Sequence, residues 1–460
     1  MKLSFHGADR SVTGSCHLIE CGSKRILIDC GLYQGSKELD QENSTPLGFD
    51  PATIDFLLLT HAHLDHCGRI PLLVKQGFKG EIIATWASKE LARIVLLDAA
   101  HLHEEDAYYR NKKANSRGES ADAVPLYTTL DALNSLEYFG RHAHFNEALA
   151  LADGIKAFFL DAGHILGAAS ILLELKEKEK KRRILFSGDI GNKDRPLLKN
   201  PQTAQVDIVV MESTYGNRNH KCLDDSIDDL YKIVSDTFKR GGNVIIPTFA
   251  LERAQELLYF LREGLETKKL AVHPKVFLDS PMAISATQIF EHHPECFNQK
   301  IKQLFHQGID PFLLPDLNFT RETADSIAIN EIKNGAIIMA GSGMCTGGRI
   351  RHHLRNNIAR KECSILFVGY AAIGTLARYI IDGHKSVKLF GDELSIEAQI
   401  HTISGFSAHA DQEELINWHR STSAKKTFLV HGDEDAMKEL ALKLNSTTLE
   451  MPKLGEVFDL

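Results

Sequence analysis

The largely apolar run at residues 54–59 (IDFLLL) reads as a buried strand, and it opens directly onto Thr60-His61-Ala62-His63-Leu64-Asp65-His66. Four metal-binding side chains crowded at one strand end constrain the fold more than any other feature of the chain. Alternate residues of an extended segment project the same way, so His61 and His63 can reach one ion. Asp65 and His66, at the turn into the next element, can reach a second. Imidazole and carboxylate together suit Zn²⁺, with Mn²⁺ or Fe as alternatives. A centre of this kind needs more ligands, so other strand ends must converge on the same point.

Three such ends stand out downstream. His164 lies in residues 161–167 (DAGHILG), where small neighbours allow close backbone approach. Asp189 follows the apolar ILF run in FSGD, residues 186–189, and a carboxylate can bridge two ions. His431 closes another apolar run in FLVHG, residues 428–432. Taken singly, each also has a packing or turn role open to it.

Between these ligands the grammar changes. From about 215 to 395, four units each set a short β-rich run before a small-residue loop and a helix: NVIIP with TFALERAQELLYFL, KVFLD with SPMAISATQIF, AIIMA with GSGMCTGGRIRHHL, and SILFV with GYAAIGTLARYI. That alternation is expected of a parallel, doubly wound sheet, whose ligands bind at the C-terminal strand edges. The loop 341–347 (GSGMCTG) nearly copies a dinucleotide fingerprint, but its third glycine comes one residue late and Glu362 precedes the next strand instead of ending it. It reads better as backbone N–H groups at a helix start, suited to a phosphate of a larger ligand. Because candidates 61 to 189 precede this region and His431 follows it, both ends of the chain must close on one centre while the middle stands apart.

In order, H-x-H-x-D-H, G-H, S-G-D and a late V-H-G resemble the metallo-β-lactamase superfamily. More closely, residues 211–216 (MESTYG), 247–250 (PTFA), 374–376 (GTL) and 406–411 (FSAHAD) look like the β-CASP nucleases. The resemblance implies an αββα sandwich, with 1–214 and 396–460 as its two parts and 215–395 as an inserted doubly wound parallel-sheet domain capping the site. It implies two Zn²⁺ ions: His61, His63 and His164 on the first, Asp65, His66 and His431 on the second, and Asp189 bridging. Two ions about 3.5–4 Å apart can activate water and stabilise an in-line displacement at phosphorus.

By the same resemblance Asp65, Glu212 and His409 are the catalytic side chains. His409 protonates the leaving ribose oxygen, and Glu212 fixes its tautomer and raises its pKa. Ser407 is open to donating to the scissile phosphate or to forming a turn, and Arg253, early in the helix after Pro247, to facing RNA or solvent. A histidine at position 431 resembles the RNA-cleaving members rather than the DNA-repair branch, so single-stranded RNA, cut mainly internally, is the expected partner. The chain looks like a minimal bacterial counterpart of the endonuclease subunit of the pre-mRNA cleavage complex, without the C-terminal extension of RNase J enzymes. A thioester or lactam hydrolase of the same fold and a DNA nuclease are the competing readings, and a homodimer stays open.

Composition narrows the setting. A formal charge of -8 excludes a chain coated in Lys and Arg for indiscriminate nucleic-acid binding. Eight cysteines without a C-x-x-C pair suit reduced thiols and a cytoplasmic location, and no stretch is apolar for long enough to span a membrane. The basic run 176–183 (KEKEKKRR) reads as a solvated hairpin turn, and His101 with His103 as a solvated or interdomain helix face.

Overall fold

The computed structural model describes residues 1–35, 37–369, 371 and 374–460. The chain divides into two compact units, Met1–Asn219 with His409–Leu460, and His220–Ala408.

The first unit is built from two seven-stranded sheets. One runs Val457–Asp459, Lys2–Phe5, His17–Cys21, Lys24–Ile28, Phe56–Leu58, Glu81–Thr85, Phe139–Ala143. The other runs Thr448–Glu450, Lys426–Val430, Ile208–Glu212, Lys180–Phe186, Ala169–Glu177, Ile155–Asp161, Leu149–Ala152. Alternation sends Leu3, Phe5, Ile19 and Ile26 of the first sheet against Phe159, Ile171, Phe186 and Phe428 of the second, which makes the central core. The opposite face of the second sheet, with Val209, Met211 and Leu429, is covered by Leu415 and Trp418 of helix Gln412–Thr422 and by Met437 and Leu440 of helix Glu434–Ala441. The 32-residue helix Trp86–Arg117 lies against the first sheet, so the layers are αββα.

Strand direction decides where chemistry can gather. Lys24–Ile28 pairs in parallel with Phe56–Leu58, setting Ile28 beside Leu58. Lys180–Phe186, Ile208–Glu212 and Lys426–Val430 are also parallel, setting Phe186 beside Val210 and Glu212 beside Val430. The loops after these strands therefore leave side by side.

The second unit holds a six-stranded parallel sheet, ordered Leu317–Phe319, Lys275–Leu278, Ala336–Ala340, Val244–Pro247, Ser364–Val368, Gln399–Ile403. The four strand-loop-helix units expected from sequence are present, with helices Arg253–Glu266, Pro281–His292, Ile350–Asn357 and Leu376–Ile381. Of the fourth loop, residues 370, 372 and 373 lie outside the described residues.

The unit boundaries differ from the expected 214/215 and 395/396. Asp392–Ser395 forms a hairpin with Ser386–Leu389, and Gln399–Ile403 pairs in parallel with Ser364–Val368, so the chain stays with the inserted sheet past 395. The basic hairpin is tighter than a turn of eight residues: Glu177 pairs with Lys180, and Lys178 turns the corner at φ 54°. His101 is exposed beside Glu105, and His103 meets the edge of Tyr127. All eight cysteines are free thiols, and no helix among the described residues is long and apolar enough to cross a membrane.

Candidate metal centre

All of the expected ligands lie in the first unit, each just beyond a strand end. His61 follows Phe56–Leu58, His63 caps the short helix Leu64–Cys67, and Asp65 and His66 sit inside that helix. His164 follows Ile155–Asp161, Asp189 follows Lys180–Phe186, and His431 follows Lys426–Val430. Close backbone passage makes this convergence feasible. A Cβ on Gly31 would fall 1.6 Å from the Asp65 carbonyl oxygen, and one on Gly191 would fall 1.8 Å from that of Gly163. His431 takes φ 48°, uncommon without glycine, and its N–H donates to the Ala8 carbonyl at 2.8 Å.

Two histidine-rich donor groups form, and Asp189 also makes a third cluster with Glu212 and His409. In the first, His63 Nδ1 lies 3.1 Å from His61 Nε2 and 3.2 Å from His164 Nε2. In the second, His431 Nε2 lies 3.2 Å from His66 Nε2 and 3.4 Å from Asp65 Oδ2. Asp189 stands between them. Its Oδ2 is 3.4 Å from both His61 Nε2 and His164 Nε2, while its Oδ1 is 3.2 Å from His66 Nε2 and 3.5 Å from His431 Nδ1.

This donor set fits a divalent cation. Three ring nitrogens converge in the first group, and at most some of them can satisfy one another by donating a proton. Asp189 Oδ1 is buried beside His66 Nε2 and His431 Nδ1 without a well-aligned hydrogen bond to either, a position that a cation would satisfy. Burial, ahead of the neighbouring His66, holds the His61 imidazole down to about 3, and burial holds His63 down to about 4, so their lone pairs are free at neutral pH. Burial would raise the Asp65 carboxyl, but the hydrogen bond from His431 overrides it and keeps the group ionised.

Supporting contacts not foreseen from sequence orient these rings. Asp29 Oδ2 lies 2.7 Å from His66 Nδ1, and Asp29 also accepts from the Thr60 N–H at 2.7 Å and the Thr60 hydroxyl at 2.8 Å. Thr60 Oγ1 is 3.0 Å from His61 Nδ1, and Thr214 Oγ1 is 3.2 Å from His431 Nδ1. Such partners fix which ring nitrogen points inward. The available signal was an aspartate closing the apolar run RILID, a strand end like the others.

His409 adjoins Asp189 without joining either group. Its Nδ1 is 3.2 Å from Glu212 Oε2 and 3.9 Å from Asp189 Oδ2, and its side chain keeps 22% exposure where Glu212 and Asp189 have almost none. Burial would lower its pKa, but the Glu212 charge, followed by Asp189, pushes it up to about 9. Glu212 is held in turn: it accepts from the Ile190 N–H, and its own N–H donates to Ser187 Oγ at 2.9 Å.

Ser407 and Arg253 belong to the second unit. Ser407 is buried. Arg253, for which substrate contact and a solvated helix position were both open, is not solvated: it is buried at the first position of a helix enclosed on most sides, ion-paired with Glu256 and 6.0 Å over the Phe406 ring.

Family models match three consecutive parts of the chain: metallo-beta-lactamase superfamily over residues 10–232, Beta-Casp domain over 254–380, and Zn-dependent metallo-hydrolase RNA specificity domain over 393–451. Ribonuclease TTHA0252 of Thermus thermophilus is 36% identical over 459 residues, 99% of each chain. A transcription termination factor, FttA, of Methanocaldococcus jannaschii is 30% identical across 96% of this chain and 68% of its own length. An RNase J-like protein of the same organism is 29% identical, covering 98% and 96%. A crystal structure of a protein of unknown function from Enterococcus faecalis V583 matches with TM-score 0.56 at 13% identity over 99% of both chains, a likeness of fold. The chain belongs to the metallo-β-lactamase superfamily, in the group that carries a β-CASP domain.

Proposed function

We propose that the chain is a metal-dependent ribonuclease that hydrolyses phosphodiester bonds of single-stranded RNA, mainly within the strand, in RNA processing or decay in the cytoplasm. The observation that carries this reading is the arrangement around Asp189: one oxygen toward each donor group, with the partly open His409 alongside. That relatives spanning nearly the whole chain are named ribonuclease and RNase J-like supports RNA as the substrate, and the termination-factor relatives support a role in handling transcripts.

In this reading two zinc ions are resident. His61, His63 and His164 would hold one, Asp65, His66 and His431 would hold the other, and Asp189 would serve both. When bound, such ions supply a nucleophile from water near neutral pH and offset the charge that develops on phosphoryl oxygens.

The chain's own residues do the remainder. Asp29 and Thr60 hold the His66 and His61 rings in the tautomers that aim Nε2 inward. Glu212 accepts from His409 Nδ1–H, which leaves Nε2–H to protonate the leaving ribose oxygen. A raised pKa keeps that proton in place at neutral pH, and the carboxylate stabilises the imidazolium.

Labelled RNA and DNA oligomers of one sequence, assayed beside nitrocefin and a thioester, test the assignment. RNA is expected to be cut fastest, with internal products. Faster cutting of DNA would move the protein to the repair branch, and turnover of nitrocefin or thioester without RNA cleavage would make it a small-molecule hydrolase.

A further inference from the structure

The first unit contains a second concentration of buried polar groups, on the outer face of its first sheet. Strand alternation sends Leu3 and Phe5 into the core and turns Lys2, Ser4 and His6 the other way, beside Leu18 of the neighbouring strand. Polar groups on an outer face are ordinarily solvated. Here Ser4, His6, Tyr33 and Arg69 are 8%, 9%, 7% and 2% exposed, because residues 45–49 and the segment near 454–457 wall in a cavity of about 340 Å³.

Charge inside this cavity is unbalanced. The Arg69 guanidinium donates to the carbonyls of Gly31 and Gly14 and lies 4.9 Å over the Tyr33 ring. Among the described residues no carboxylate is ion-paired with it, and a buried cation without one is unfavourable. Among the described residues two carboxylates line the cavity: Glu20 is taken by Arg25, also lining, at 3.2 Å, and Glu42 is exposed. Lys2, also lining, has no ion pair among the described residues. The remaining wall is mixed: Ser4, His6 and Thr45 are polar, and an apolar and aromatic part is formed by Leu18, Leu47 and Phe49, whose ring meets His6 edge-on at 5.0 Å.

An anion with a flat apolar body matches both halves of the wall, and the volume lies at the low end of small-molecule pockets, about 300–1,000 Å³. We propose that this cavity binds a nucleoside monophosphate, its phosphate neutralising Arg69 and Lys2 and its base against Leu18 and Phe49. A free nucleotide and the terminal nucleotide of a phosphorylated RNA carry the same chemistry.

Calorimetric titration with AMP, adenosine, inorganic phosphate and a 5′-phosphorylated oligonucleotide tests this. Arg69 lies three residues past His66, so variants are placed elsewhere: Leu18→Trp to fill the cavity and Lys2→Glu at its exposed rim. The wild-type chain should bind AMP saturably, one per chain, more tightly than phosphate or adenosine, and each variant should weaken AMP by about tenfold or more while metal content and RNA cleavage stay unchanged. Oligonucleotide binding that Leu18→Trp and Lys2→Glu weaken together with AMP identifies an RNA terminus as the occupant, and oligonucleotide binding that both variants leave unchanged identifies the free nucleotide. Absence of saturable AMP binding, or equal binding by adenosine, overturns the proposal. So does undiminished AMP binding in the variants, which would place the nucleotide at the metal centre. Should Leu18→Trp fail to fold, Lys2→Glu decides alone.

Discussion

The two donor groups that share Asp189 differ in their relation to protons. His61, His63 and His164 are imidazoles whose pKa burial pushes down, so they stand neutral with lone pairs exposed. His66 and His431 are buried as deeply, yet Asp189 pushes both up, with Asp29 adding to the first and Asp65 to the second. Burial alone therefore does not fix the charge of a histidine; the carboxylates facing it decide. A cation entering the first group displaces little, whereas one entering the second must displace protons that Asp189, Asp29 and Asp65 hold in its place.

Removing the shared carboxylate should break the comparison outright. Asp189→Ala takes an oxygen from both groups, so elemental analysis should find both of the proposed equivalents of zinc lost. The fall in cleavage should exceed the roughly 10²–10⁴-fold assigned to a proton donor. One equivalent retained with substantial cleavage would show that one group works alone.

Separating metal from proton transfer comes next in size. His409→Ala should lower cleavage by about 10²–10⁴-fold with zinc content unchanged, because its Nδ1 lies closer to Glu212, at 3.2 Å, than to Asp189, at 3.9 Å. His431→Ala should lose one equivalent as well as rate. If both variants lost zinc equally, His409 would be a ligand and the division of roles proposed for the two histidines would fail.

How much of this could be read from the chain depends on the reach of each feature. His61, His63, Asp65 and His66 are legible because a short-range pattern follows a recognisable strand, and Asp189 and His431 because each ends an apolar run. Asp29 ends one too, but its bond to His66 exists only because Lys24–Ile28 and Phe56–Leu58 are parallel neighbours, a long-range pairing no local pattern encodes. The burial of Arg253 was hidden for the same kind of reason. Its helix carries polar residues that suggest a solvated face, while the fold encloses most of it and supplies Glu256 as a partner. The return crossing was likewise hidden, since Gln399–Ile403 looks like a strand of either sheet until it pairs with Ser364–Val368.

Asp29 sharpens the comparison from outside the ligand set. Asp29→Asn should weaken zinc at the second group by about 10–100-fold, the usual range for a lost carboxylate behind a ligand histidine, and leave the first group intact. In the wild-type chain, acidification should release the two equivalents in order. Histidines whose pKa is raised regain protons first as pH falls, so the second group should empty before the first. Simultaneous release, followed with a chromogenic zinc indicator, would show that the groups act as one unit despite their different surroundings.

The smallest expected effect concerns Glu212, which binds nothing directly in the proposed reaction and acts through His409. The imidazole is raised to about 9 with Glu212 as the largest upward influence against burial, so its protonated, acid-competent form persists through neutral pH and is lost as pH climbs past that value. Glu212→Gln keeps the shape and an acceptor oxygen for His409 Nδ1–H but removes the charge. The alkaline limb of the pH–rate profile should then move down by about 1–3 pH units, the shift an adjacent opposite charge ordinarily contributes. Below the new limb the variant should cleave RNA at a rate close to wild type, with zinc content unchanged. A uniform loss of rate at every pH, with the limb where it was, would mean that Glu212 only braces the strand end through Ile190 and Ser187, and that the pKa of His409 is set by Asp189 instead.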